Sequence, residues 1–292
     1  MATKLWLGDD AGNEGDWSVA ANWSGGVPGN GDDAVLQHSS QSVTAGLAQG
    51  AIDLATLRID QSFTGQIGDE NNYLVIGSSV VTIGEAKGES AAPPAGSSMI
   101  KLNLDTTATA VTVHNTGNSA ESGRQALRLL MVNAANVVSV LKGSVSIAAD
   151  AGETSQLATL NISYVDSVES DADVVVGSGV TLATVQKTGG SLALQCAVTT
   201  LTNRAGAVRT SGTGVITAVN MHAGSADLNS TGTITTLNGF GGAVDTTESL
   251  AGRTITTLNI YAGFSIKYDP AIVAITNKPS PAEPVNLIAE AA

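Results

Sequence analysis

The chain has 292 residues, of which 42% are hydrophobic, 13% charged and 3% aromatic, with 33 glycines. That is enough apolar material to bury a core, which excludes a disordered tail, and the bias toward Ala, Thr, Ser, Gly, Val, Leu and Ile favours a tightly stacked β architecture over a helical bundle or a pocketed enzyme. A net charge of −13 with no basic cluster argues against nucleic acid and anionic membranes as partners, and a single cysteine, Cys196, excludes a disulfide framework or a Cys-rich metal site.

At the N-terminus, residues 1–10 (MATKLWLGDD) carry one lysine, three consecutive apolar residues and two acids, a pattern unlike a secretory signal. No run in the chain approaches the ~18 apolar residues that span a bilayer. All three tryptophans follow, at Trp6, Trp17 and Trp23, within the phrases Trp6-Leu7-Gly8, residues 15–28 (GDWSVAANWSGGVP) and Gly31-Asp32-Asp33. The first coil of a β-solenoid exposes an apolar interior and an unpaired strand edge, and indoles are suited to covering both. Trp6, Trp17, Asn22, Trp23 and Pro28 are therefore expected to build a cap. If exposed, Trp17 and Trp23 would instead offer a platform for stacking sugars.

The same phrase resembles the W-x-G…W-x-x-x-x-N-W-x-x-G-x-x-P…D-D segment that opens many repetitive bacterial surface β-helices, including autotransporter-like passengers. Similar segments occur in bacteriophage virion proteins. The resemblance spans residues 6–35. It implies a parallel β-helix in a virion or cell-surface setting and, because many such solenoids associate along their length, a homotrimer.

Next along the chain, Leu57-Arg58-Ile59, Leu74 to Gly77, Leu102-Asn103-Leu104 and Val111-Thr112-Val113 read as strands. Two polar, Gly/Pro/Ser-rich stretches, 85–98 and 116–125, read as loops leaving the stack, the places where such a scaffold carries recognition. Residues 124–140 have room for one or two helical turns, but Val137-Val138 and the phase of Asn133 favour strand.

From residue 159 a short phrase recurs, as Thr159-Leu160-Asn161-Ile162, Thr181-Leu182-Ala183-Thr184, Thr200-Leu201-Thr202-Asn203, Ala218-Val219-Asn220-Met221, Thr236-Leu237-Asn238-Gly239 and Thr257-Leu258-Asn259-Ile260. Its Leu or Val falls at 160, 182, 201, 219, 237 and 258, a loose period near 20. Runs of four to six Thr/Val/Ile-rich residues split by Gly, Asn, Asp or Ser are too short for helices, and two or three strands per period is the arithmetic of a solenoid coil. Asn161, Asn220, Asn238 and Asn259 share one phase, which Asn103 and Asn133 extend. They are expected either to hydrogen-bond from coil to coil as a ladder or to serve singly as turn residues.

Pro279, Pro281 and Pro284 then exclude regular structure, so residues 277–292 are expected to be an extended tail. Its Leu287 and Ile288 would dock on a neighbouring subunit or cap the last coil. In all, the sequence predicts an all-β chain, a right-handed parallel β-helix (β-solenoid), with a Trp-rich capping segment at 1–46, the solenoid at 47–276 and the tail at 277–292.

Catalytic patterns are sparse. His38, His114 and His222 lie far apart, and neither a phosphate-binding loop nor a nucleophile elbow is present. Cys196 reads as an inert interior residue. Two acidic groups, Asp9/Asp10/Glu14/Asp16 and Asp166/Glu169/Asp171/Asp173, would suit Ca²⁺ but match no calcium motif, so solvated charge is the plainer expectation and no cofactor or metal is assigned. A polysaccharide-cleaving β-helix needs paired carboxylates in a groove, which the coil faces do not advertise. The reading is a non-enzymatic virion protein, a bacteriophage capsid decoration or fibre component. It would be assembled in the host cytoplasm, bind itself and the major capsid or another virion protein, and display loops that meet a host surface glycan. The alternatives are a bacterial cell-surface adhesin or matrix protein, and a polysaccharide-binding or polysaccharide-cleaving tailspike-like protein.

Overall fold

The computed structural model describes residues 2–69, 71–85, 97–105, 107–116, 118–119, 123–163, 172–278 and 286–289. It is a parallel β-helix, and the strand pairings of its 23-stranded sheet are all parallel. Each coil contributes one strand to face A and one to face B. Face A begins with Thr3–Leu5 and Asp33–Leu36 and runs through Ala110–Val113, Val137–Val140, Ser155–Ile162 and onward to Val273–Asn277. Face B runs from Ile100–Leu104 through Leu127–Met131 and Gly143–Ile147 to Phe264–Tyr268 and Asn286–Ala289. The long strands Ala48–Asp60 and Leu74–Glu85 bend and serve both faces.

Alternation along each strand sends every second side chain inward, so the parallel register builds columns of like residues. One column on face A stacks Ala34, Leu57, Val81, Val111, Val138, Leu160, Val185, Leu201, Val219, Leu237 and Leu258, all buried. A face-B column stacks Leu127, Val145, Val174, Leu192, Val208, Ala226, Val244 and Ile266. Small and branched side chains fill this narrow interior, and the scarcity of aromatics follows from it. Phe264 is an instructive exception: a Cβ on Gly239 would lie 2.2 Å from its ring, so the ring occupies the space that a side chain at 239 would need.

Three expectations are adjusted by the register. The recurring phrase at 181–184 is three residues out of phase, because Leu160 pairs with Val185 while Leu182 pairs with Leu157 and Val198. The strand Val180–Lys187 turns a corner and offers apolar residues on both sides of it, which is why Leu182 imitates the marker. The boundary at residue 46 does not mark where the solenoid starts, since Thr3–Leu5 and Asp33–Leu36 are already its rungs and the tryptophan segment is inserted between them. At the other end Asn286–Ala289 is a strand paired on Phe264–Tyr268, with Leu287 aligned to Ile266 and Ile288 to Lys267, so that part of the tail adds a rung to its own stack. Pro279, Pro281 and Pro284 lie outside the described residues. Residues 127–131 and 137–140 are strands, as the phase of the segment favours.

Candidate functional site: the capped end and the corner after face A

The tryptophan segment closes the N-terminal end. Trp23 packs edge-on between Trp6, at 5.1 Å between ring centroids, and Trp17, at 4.5 Å. Trp23 Nε1 donates to the Trp17 carbonyl at 2.8 Å and Trp6 Nε1 to the Gln41 carbonyl at 3.0 Å. Asn22 is fully buried and organises the loop: its Oδ1 accepts from the Asp10 amide, and its Nδ2 donates to the carbonyls of Asn13 and Asp16. The segment also blocks the outer edge of the first strand, because the Ser24 amide donates to the Leu5 carbonyl and the Leu5 amide donates to Ser24 Oγ. Pro28 is buried beside it. With Trp17 and Trp23 at 0% and 2% exposure, neither indole presents a face to a sugar, which removes the stacking-platform alternative.

The acidic residues of this segment serve its turns. Glu14 accepts from the Gly12 amide, which holds its carboxyl below the usual range, and Asp16 accepts from the amide and hydroxyl of Ser18. Asp10 accepts from Asn13 Nδ2. Among the described residues no group of three or more His, Cys, Asp or Glu is arranged to hold a metal ion. Asp173 accepts from Ser191, while Asp166, Glu169 and Asp171 lie outside the described residues.

The asparagines form one outward row on face A, ordered by register as Ser139, Asn161, Gln186, Thr202, Asn220, Asn238 and Asn259. Asn259 Nδ2 donates to Asn238 Oδ1 and Asn238 Nδ2 to Asn220 Oδ1, both at 2.8 Å. Asn161 stands lower in the row and donates to Ser139 Oγ at 3.1 Å. Asn103 belongs to face B, and Asn133 accepts from the Ala135 amide in a turn. The amide that bridges coils at that turn is Asn136, which the sequence reading passed over. It is buried, accepts from the Thr109 amide at 2.7 Å and donates to the Gln156 carbonyl.

Just beyond the amide row, at the corner leading from face A to face B, His222, Phe240 and Tyr261 stack ring on ring. Successive centroids are 4.8 Å apart and the planes lie within 17° of parallel. Phe240 and Tyr261 are 41% and 52% exposed. Stacking covers both faces of Phe240 and one face each of His222 and Tyr261. Residues 86–96, 120–122 and 164–171 each fall between the end of a face-A strand and the start of a face-B strand, although they lie outside the described residues, as do most of the expected loops 85–98 and 116–125.

Two further groupings were not legible beforehand. Tyr73, Lys101, Arg124, Asp150 and Glu153 line an open cavity of about 490 Å³, in which Tyr73 donates to Glu153 at 2.6 Å and Arg124 meets Asp150 at 3.2 Å. Burial and the Glu153 carboxylate raise the Tyr73 hydroxyl well above its ordinary value. On face B, register sets Arg209, Asp227, Asp245 and Lys267 in one row, with Glu248 reaching Arg209 at 3.0 Å. Burial, with Glu248 and Asp245 nearby, raises Asp227, while hydrogen bonds from Thr247 lower Asp245. Asp227 and Asp245 are 18 residues apart, so the coil period was the signal that would have paired them. Cys196 is buried and its thiol is pushed up to about 12, in keeping with an inert interior residue.

No protein-family model, curated protein or solved structure matches the chain.

Proposed function

We propose that the chain is a structural, non-enzymatic virion component of the capsid-decoration or fibre type. It would be held on the particle through a virion protein and through copies of itself, and it would present its A-to-B corner outward. The observation that carries this reading is the exposed ring stack at that corner, on a scaffold whose N-terminal end is sealed by its own segment. A stiff solenoid is suited to display, since the core columns hold that corner fixed while its residues change. The resemblance of residues 6–35 to segments of surface and virion β-helices supports the same setting.

The test is to band a source-culture lysate on a density gradient and follow this chain by peptide mass spectrometry. Comigration with particles at a fixed ratio to the major shell protein is the expected result, with high copy indicating decoration and low copy a tail or vertex fibre. Recovery with cell envelopes would replace the reading with a surface adhesin. Recovery as free protein would remove both and direct attention to polysaccharide binding or cleavage.

A further inference from the structure

The second inward column of face A stacks Leu36, Ile59, Ile83, Val113, Val140 and Ile162, and then its chemistry changes. The next two rungs are Lys187 and Asn203, followed by Met221. Both polar residues are 0% exposed. Lys187 Nζ donates to Asn203 Oδ1 at 3.3 Å and to the Ala205 carbonyl at 2.6 Å. Asn203 Nδ2 turns the other way and donates to the Ala223 carbonyl at 3.0 Å. Among the described residues, neither side chain hydrogen-bonds to a carboxylate. An amine is thus held against a carboxamide, on neighbouring rungs whose backbones are locked in register, in an interior closed to water.

We propose that Lys187 and Asn203 join in an intramolecular isopeptide bond that staples two adjacent coils. The Nζ lone pair attacks Cγ of Asn203, the Cγ–Nδ2 bond breaks, an amine proton passes to Nδ2, and ammonia leaves. The product is a secondary amide whose atoms all come from the two side chains, so neither oxidant nor reductant is required. Fixed proximity of the reacting groups is the main rate advantage here. The nucleophile must be the neutral amine, and burial alone, with no neighbouring charge acting on it, lowers Lys187 to about 8. With no carboxylate among the described residues bonded to the pair to relay the proton, closure is slow, so freshly folded protein is largely open and the bond accumulates with time.

The experiment uses the full chain, incubated folded and then measured intact and after trypsin. A species one ammonia lighter should accumulate, about tenfold faster at pH 9 than at pH 7, because the neutral fraction of an amine titrating near 8 rises by about that factor. Trypsin should then spare the bond after Lys187 and release residues 143–204 as one loop-linked peptide lighter by one ammonia. The same chain incubated unfolded in urea should not form it. Two outcomes overturn the proposal. One is an unchanged mass with normal cleavage after Lys187. The other is a mass loss mapped to a succinimide at Asn30-Gly31 or Asn238-Gly239, which leaves Lys187 cleavable.

Discussion

Two stretches of the solenoid use one core and two different outer surfaces. Through Leu201, Val219, Leu237 and Leu258 the inward column of face A advances by 18, 18 and 21 residues, while through Leu57, Val81, Val111, Val138 and Leu160 it advances by 24, 30, 27 and 22. The inward residues are equally apolar and equally buried in both. What changes is the outside. Over the coils of 18, 18 and 21 residues, like residues meet rung after rung, and both the amide and the ring stacks form. In the N-terminal stretch the coils are longer and the outer row is mixed, running Arg58, Thr82, Thr112 and Ser139. Core columns therefore tolerate insertion, and the ladder and ring stack also survive the 21-residue coil, whose three extra residues fall between Val244 and Ile255 and away from both rows.

The strongest way to challenge this comparison is to cut the same column in both stretches. Leu57→Ala and Leu237→Ala each remove a fully buried side chain, and each should cost roughly 2–5 kcal/mol in a urea titration followed by far-UV circular dichroism. Similar losses would support a shared core. A loss confined to Leu237 would mean that the N-terminal coils contribute little to the cooperative unit.

The polar interruption of the second column should show itself in pH. Lys187 falls from 10.5 unfolded to about 8 folded. Between those values the unfolded chain binds more protons, so stability rises with pH across that window and the burial penalty is greatest below about 8. In protein freshly refolded near pH 6.5, where closure of the isopeptide bond is slow, the rise should approach about 3 kcal/mol relative to Lys187→Met, which lacks the titrating group. A flat difference between the two proteins from pH 7 to 10.5 would contradict the assignment.

At the sealed end the sensitive position is Asn22. Asn22→Ala strands the Asp10 amide and leaves the carbonyls of Asn13 and Asp16 with only the Asp16 and Val19 amides as donors, and it should cost about 2 kcal/mol. All three tryptophans lie in this segment, so indole fluorescence reports the cap while circular dichroism reports the stack. The fluorescence transition should move to lower urea ahead of the stack. Coincident shifts of both transitions would show that cap and stack unfold as one.

Much of the fold was legible because the features that encode it repeat. The Leu or Val of the core column and the asparagine beside it return at nearly constant intervals, and the tryptophan phrase marks where the stack needs covering. Leu182 misled because Val180–Lys187 turns a corner and carries an apolar residue on either side of the bend. Lys187 and Asn203 were missed for a different reason: interior positions are inferred from hydrophobicity, and a polar residue facing inward gives no signal. The cavity beside Tyr73 and the row through Asp227 join residues from different coils, so they required the register that only the folded chain supplies.

The amide row permits the finest version of the comparison. Asn238 both donates to Asn220 and accepts from Asn259, whereas Asn259 only donates within the row. If the row is a coupled ladder, Asn238→Ala should cost about 1 kcal/mol and Asn259→Ala about half of that, since water replaces part of each bond at these half-buried positions. Asn161→Ala, whose donor reaches a serine hydroxyl, should cost less still. A double-mutant cycle on Asn220 and Asn238 then isolates the contact, with about 0.5 kcal/mol of coupling expected for neighbours of this kind. Equal losses at all three positions with no coupling would mean that each asparagine serves its own backbone. The parallel register would then align the row without stabilising it.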